Sequence, residues 1–299
     1  MILDPGILFA QLLGGLSRAM ILFLLSSGLS LIFGVMNILN FAHATLWLFG
    51  GYVTFSIFTF IADEMGFGDS GLVLVAAIIL GTSFMMVVGY MIERFLIRRM
   101  YKRELPEQLL LTYAMILIIG DLIRIIWGVE DRSVYLPIEP LEVMGTFVNP
   151  YYFIIITTGF AVAAGLWLFL QKTRYGKIVR AAVYSREMVG ALGIQIPVIY
   201  AGVFALGVGI AAFSAGVFLP LMPMALGVDI DLIVQCFAVV VIGGFGSILG
   251  TFVASLVVGI VYAISIFVWP DGALAVIFLI VIAVLIWRPW GLFGTELRS

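Results

Sequence analysis

Apolar residues run through this chain in long continuous blocks rather than in alternation. The blocks fall at 7–34, 43–61, 71–92, 108–127, 151–170, 198–219, 230–242, 248–268 and 272–287, separated by short polar or glycine-rich connections. Blocks of about 20 apolar residues match the thickness of bilayer hydrocarbon. Continuous apolarity selects helices over a barrel, because a helix satisfies its own backbone amides in lipid whereas a spanning strand alternates. The pattern predicts an all-α polytopic bundle of about 8–9 spans, one membrane domain over residues 1–299. The weakest span, 230–242, has 13 residues, short enough to be a re-entrant half-helix.

Composition sharpens this picture. The chain is 64% hydrophobic and 11% charged, with a mean hydropathy of +1.24, values that exclude an ordinary water-soluble domain. A net charge of −2 leaves no electrostatic footprint for nucleic acid. Cys236 is the only cysteine, so an internal disulfide and a cysteine-based metal site are both excluded, and the residue reads as packing. The first residues carry Asp4 and lack the basic region of a secretory signal, so the first block is expected to remain as a span.

Basic residues gather at Arg94, Arg98, Arg99, Lys102 and Arg103, at Lys172, Arg174, Lys177, Arg180 and Arg186, and at Arg288 and Arg298. By the positive-inside rule these segments are cytoplasmic. Acidic loops around Asp63, Glu64 and Asp69, and from 128 to 150, fall outside, with the N-terminus outside and the C-terminus in the cytoplasm. Trp127, Trp269 and Trp287 stand near span ends as interface anchors.

Two places interrupt the apolar pattern. One contains Asn37, Asn40 and His43, and the other Gly243, Gly244 and Gly246. Both read either as broken helices lining a translocation path or as ordinary turns between spans. Gly246 and Gly250 also make a small-x-x-x-small pair suited to close helix contact.

The segment 172–197 is too polar to span and too patterned for a bare linker. As one surface helix over 176–192, it places Ile178, Ala182, Val189 and Leu192 on one side and Lys177, Arg180 and Glu187 on another, and Gly193 and Pro197 end it. Such a helix either docks into a partner's groove or lies on anionic headgroups.

Four motifs in order carry a family resemblance. They are Leu31-Ile-Phe-Gly34 leading to Asn40-Phe-Ala-His43, then Thr173-Arg-Tyr-Gly176 followed by Arg180 and by Ala191-Leu-Gly-Ile194. Val239 to Ser247 and the closing Arg288-Pro-Trp-Gly-Leu-Phe-Gly294 complete the set. The chain resembles the permease subunits of high-affinity branched-chain amino acid ABC importers, over nearly its whole length. The resemblance implies two ATPase subunits, a second and related permease subunit, and an extracytoplasmic binding protein delivering a branched-chain amino acid or a related small amide or carboxylic acid. ATP and Mg would sit on the partner subunits, with no cofactor in this chain, which is not itself an enzyme. Residues 172–197 would contact the ATPase, through Arg174, Gly176, Lys177, Arg180, Arg186, Glu187 and Gly193. One departure stands out: Ala44 and Thr45 follow His43, where the family commonly has glycine and often an acidic residue.

Candidate chemistry is sparse. His43 is the only histidine, which excludes an imidazole metal site and leaves a hydrogen-bonding role. Arg18 lies inside the first block and is expected to face a cavity, to pair or to snorkel outward. Asp121 and Arg124, three residues apart, form a local ion pair or belong to the path. Asp229 and Asp231 read as solvated boundary charges. With so few charges in the spans, substrate selection is expected in the binding protein. The competing reading is an ion-coupled carrier that titrates Asp121.

Overall fold

A computed structural model describes residues 5–294. Asp4 and Arg298, used above in reading the two termini, lie outside the described residues.

The first apolar block forms α1 (Pro5–Met36). Helix α2 (His43–Thr59) continues as a π-helical turn over Phe60–Glu64. Helix α3 (Gly71–Phe95) is followed by a 3-10 turn over Ile97–Met100, and then by α4 (Leu105–Trp127). A small antiparallel hairpin, β1 (Leu141–Val143) and β2 (Thr146–Val148), interrupts the acidic connection. After it come α5 (Tyr151–Lys172), the short α6 (Arg174–Tyr184) and α7 (Arg186–Ala191), and α8 (Ile196–Phe218). Helices α9 (Val228–Gly243), α10 (Ile248–Val268) and α11 (Ala273–Trp287) complete the chain.

Among the described residues, eight helices are long and apolar enough to cross a membrane. That count joins α2 to its π-helical turn and α11 to the 3-10 turn Pro270–Gly272 before it; helix α9 is left out, its 16 residues spanning about 24 Å at 1.5 Å per residue, less than the ~30 Å of hydrocarbon.

Helix α1 is the axis of the bundle. From Ala19 to Leu25 every side chain is buried, because α8, α9, α10, α5 and α2 all pack around it. Small residues allow this close approach, which in lipid replaces the hydrophobic drive of a water-soluble core. Phe23 meets Phe252 of α10 edge to face, with ring centroids 5.1 Å apart, and Tyr151 of α5 donates to the carbonyl of Val217 on α8 at 2.8 Å. Cys236 on α9 is sealed at 0% exposure. Helices α4 and α11 instead turn most of their apolar side chains outward, as lipid or a further subunit requires.

The two ends of the bundle differ in charge. At the basic end Arg98 donates to the carbonyl of Pro197, and Tyr101 packs edge to face on Tyr200. At the acidic end Arg132 pairs with Met224 through a backbone bridge. The loops that the charge pattern assigns to one side thus meet at one end.

Trp127 closes α4 at the end of the span, as expected, and is half-buried. Its indole Nε1 donates to Ser56 Oγ at 2.6 Å, and its ring packs against Phe49 and Tyr52. A half-buried indole needs an acceptor, and Ser56 supplies one inside the bundle.

Candidate functional site

Three features carry the chemistry: a broken segment in the centre, a surface loop at the basic end and a charged cavity towards the acidic end.

The break begins where α1 stops at Met36, with Asn37 in the left-handed region at φ 57°. Residues 37–42 then turn back into the bundle, because His43 Nε2 lies 3.1 Å from the carbonyl oxygen of Leu25. Leu25 precedes the end of α1 by 11 residues, or about 17 Å of helix axis. The connection therefore doubles back alongside α1 within the bundle. Backbone of this kind persists only when enclosed by protein or lining a polar cavity.

A carbonyl only accepts, so Nε2 carries a proton and donates it to Leu25. His43 ties the start of α2 to the middle of α1, and it is fully buried. Asn40 is also fully buried, and neither of its amide atoms finds a partner among the described residues.

The second break adjoins the first. Gly34 and Gly246 touch: a Cβ on Gly34 would lie 2.5 Å from Gly246 Cα. Gly246 has φ +78°, open to glycine at little cost. Phe33 packs on Phe245 at 4.3 Å and Phe41 on Phe237 at 4.7 Å between centroids. Asn40, His43, Gly243, Gly244 and Gly246 thus belong to one region, with Asn37 exposed at its edge. The expected small-x-x-x-small helix face is not present, since Gly246 precedes α10 while Gly250 lies within it.

Asp121 and Arg124 are elsewhere. They face each other at 3.9 Å on the outer surface of α4, with side chains 72% and 63% exposed. The structure does not bring them to the breaks.

The loop 172–197 folds as two helices and not one. Ser185 interrupts at φ −158° and caps α7 by accepting from Met188 N, just as Thr173 caps α6 by accepting from Gly176 N. The inward face is Gly176, Val179, Ala182 and Val189, so Ile178 is only half-buried and Leu192, expected inside, is 76% exposed. Two helices meeting at a corner cannot keep one face in register. Arg174, Lys177, Arg186 and Glu187 are exposed, Arg180 is half-buried, and Gly193 ends α7 at φ +79°. Tyr175 anchors the loop by donating to the carbonyl of Ile199 at 3.1 Å, and burial raises its phenol pKa. What stays outward is unexpectedly apolar: Val183, Tyr184, Met188 and Leu192 are all exposed.

Two polar contacts escaped the sequence reading. Asp229 is not a solvated boundary charge: it is buried, and Thr45 donates to its Oδ2 at 2.5 Å. At the basic end Glu93 is fully buried, held by Arg98 at 2.9 Å and by the hydroxyl of Tyr101. Burial and the Glu93 carboxylate both push the Tyr101 phenol pKa up.

The third feature is a cavity of about 200 Å³ lined by Arg18, Asp231, Gln235 and Tyr262 among apolar side chains. Arg18 donates to Gln235 Oε1 at 2.8 Å and lies 3.8 Å from the centroid of the Tyr262 ring. Of the outcomes expected for Arg18, the structure shows the cavity.

An all-helical bundle with enclosed breaks and a structured loop at one end is the architecture of a polytopic membrane permease. The family described as "Branched-chain amino acid transport system / permease component" matches residues 11–285, and the chain belongs to it. The high-affinity branched-chain amino acid transport system permease protein BraD of Pseudomonas aeruginosa is 27% identical over 293 residues, 95% of each chain. LivH of Escherichia coli K12 is 27% identical over 302 residues, covering 95% of this chain and 94% of the relative. A probable LivH of Methanocaldococcus jannaschii is 24% identical over 318 residues, covering 100% and 94%. Among solved structures, PsaBC from Streptococcus pneumoniae in complex with Fab matches with a TM-score of 0.47 at 10% identity, over 90% of this chain and 87% of that one.

Proposed function

We propose that this chain is the membrane-spanning subunit of an ATP-driven importer in a prokaryotic plasma membrane, with its basic end in the cytoplasm. It forms one membrane domain, in which residues 172–197 are the coupling loop that meets an ATPase subunit. The observation that carries this reading is the apolar ridge of Tyr184, Met188 and Leu192, exposed at 84%, 68% and 76% on a loop rimmed by Arg174, Lys177, Arg180 and Arg186. An apolar patch at the corner where α6 meets α7, rimmed by charge and backed by Val179 and Val189, suits a protein groove. ATP and Mg belong to the two partner ATPases. A related second permease subunit completes the path along the breaks, and an extracytoplasmic binding protein delivers the cargo.

The relatives' names and the apolar character of the bundle support a branched-chain amino acid or a similar small solute as that cargo. ATP-driven closure of the ATPase pair moves the loop, and α5 and α8, which it joins, tilt to expose the path at alternate ends. The carrier reading gains nothing from Asp121, which lies on the outer face of α4 against Arg124.

The test is co-purification with the candidate ATPases, followed by hydrolysis assays in nanodiscs with and without ligand-loaded binding protein. The expected result is a stable complex whose hydrolysis the loaded binding protein stimulates, with Met188→Glu abolishing association. Failure to associate with any ATPase overturns the reading.

A further inference from the structure

Arg18 is positioned but not neutralised. Its guanidinium donates to Gln235 Oε1 at 2.8 Å and rests on the face of Tyr262. Gln235 turns its own amide nitrogen to the carbonyl of Asp231 at 3.3 Å, which fixes the amide with its oxygen towards Arg18. Both partners are neutral. Arg18 Nε is buried with no acceptor, and Arg18 takes part in none of the ion pairs found within 4.0 Å among the described residues. A cation inside a membrane bundle normally finds an anion, because leaving it uncompensated in a low-dielectric setting is costly.

The same cavity holds one anion. Asp231 precedes Gln235 by four residues on α9, which places it on the same helix face about 6 Å along the axis. Asp231 also forms no ion pair within 4.0 Å among the described residues. Between and around the two charges the wall is apolar, with Phe218 and Met222 beside the aliphatic Ile21, Leu22, Leu232 and Leu274. The cavity thus offers a half-buried cation without a counter-ion, a carboxylate exposed at its mouth and an apolar surface within about 200 Å³.

We propose that this cavity is a subsite for a zwitterionic α-amino acid with an aliphatic side chain. Arg18 takes the carboxylate, Asp231 the ammonium, and the apolar wall the side chain. Arginine suits the first role because its planar fork meets a carboxylate with two parallel hydrogen bonds. The permease then recognises its cargo directly, and selection is not left to a binding protein alone. The inference rests on the importer reading above and deepens it. A zwitterionic lipid headgroup shares the chemistry of an anion beside an ammonium, so the test must separate the two.

The assembled complex is reconstituted in phosphatidylcholine nanodiscs without binding protein, and radiolabelled leucine is titrated by scintillation proximity. The expected result is saturable binding, competed by unlabelled leucine but not by leucinol, which lacks the carboxylate, or by 4-methylpentanoate, which lacks the ammonium. Arg18→Gln and Asp231→Asn should each weaken binding by about tenfold or more, with size-exclusion profiles confirming that both variants fold. In Arg18→Gln, leucine and leucinol should bind alike.

Absence of saturable leucine binding, or binding unchanged in both variants, overturns the subsite. Loss of leucine binding when phosphatidylethanolamine replaces part of the phosphatidylcholine, together with equal competition by its soluble headgroup, also overturns it and assigns the cavity to lipid. Failure of the importer reading is distinct: there the ATPases do not associate, while leucine binding to the chain alone is still measured.

Discussion

Arg98, in the 3-10 turn that follows α3, donates to the backbone carbonyl of Pro197 in the first turn of α8, 3.3 Å away and 99 residues along the chain. The same guanidinium holds the fully buried carboxylate of Glu93 at 2.9 Å. One side chain therefore fastens the connection before α4 to the exit of the coupling loop, next to the place where the ATPase is proposed to push.

Replacing Arg98 by Met removes the fastening and leaves Glu93 buried without its cation. Losing one partner of a buried pair costs about 3–5 kcal/mol, and the 32% exposure of Arg98 brings the expected loss to the lower end of that range. Thermal unfolding in detergent should register a clear fall, and the double variant Arg98→Met with Glu93→Gln should recover part of it. Equal stability of the single variant and the parent would remove Arg98 from this role.

Tyr101 gives this corner a pH signature. Its phenol pKa is raised above the ordinary 10.0 by burial and by the Glu93 carboxylate. A raised pKa in the folded state means that the neutral phenol stabilises the fold fully below pH ~10, and that this contribution is lost as pH rises further. Melting temperature should hold up to about pH 10 and then fall, and Tyr101→Phe should flatten that alkaline limb.

The contact between the two breaks is steric. Gly34→Ala puts a methyl 2.5 Å from Gly246 Cα, backbone that cannot yield as a flexible side chain would. Overpacking of this kind costs about 1–3 kcal/mol. Gly120→Ala on α4, where nothing lies within 4 Å, should be neutral or slightly stabilising and serves as the control. Comparable melting temperatures for the two variants would show that the breaks do not press on each other.

Thr45→Val keeps the shape of the side chain and removes the donor to Asp229. A buried polar group left without its partner costs about 1–3 kcal/mol, more if charged. The variant should be less stable, and Thr45→Ser, which keeps the hydroxyl, should restore most of the loss. If Val and Ser behave alike, the hydrogen bond is not what holds Asp229.

Helices and ends were legible because hydrocarbon imposes them: each predicted block became a helix at bounds only a few residues away, and the basic loops meet at one end. The shortness of 230–242 also reappears, in α9. Contacts made across the chain left no local trace. Gly34 and Gly246 lie in separate motifs, and nothing in either predicts that the other fills its space. The buried state of Glu93 comes from Arg98 and Tyr101 folding back over it, and that of Asp229 from Thr45 on another helix. The 172–197 loop misled for a local reason. Ser185 is compatible with a helix interior as well as with a cap, and its choice of the cap rotated Leu192 outward. Arg18 was visible as an anomaly, but the neutral partners that leave its charge open belong to α9 and α10.

The sealed position of Cys236 has a practical consequence. The only thiol of this chain sits where water-soluble reagents do not reach, so the protein is its own unreactive background. A cysteine placed at the exposed Gln171, at the end of α5 and outside the 172–197 loop, and another at the opposite end would be the only two positions to take up a water-soluble spin label, and the distance between them would report movement of one end of the bundle against the other.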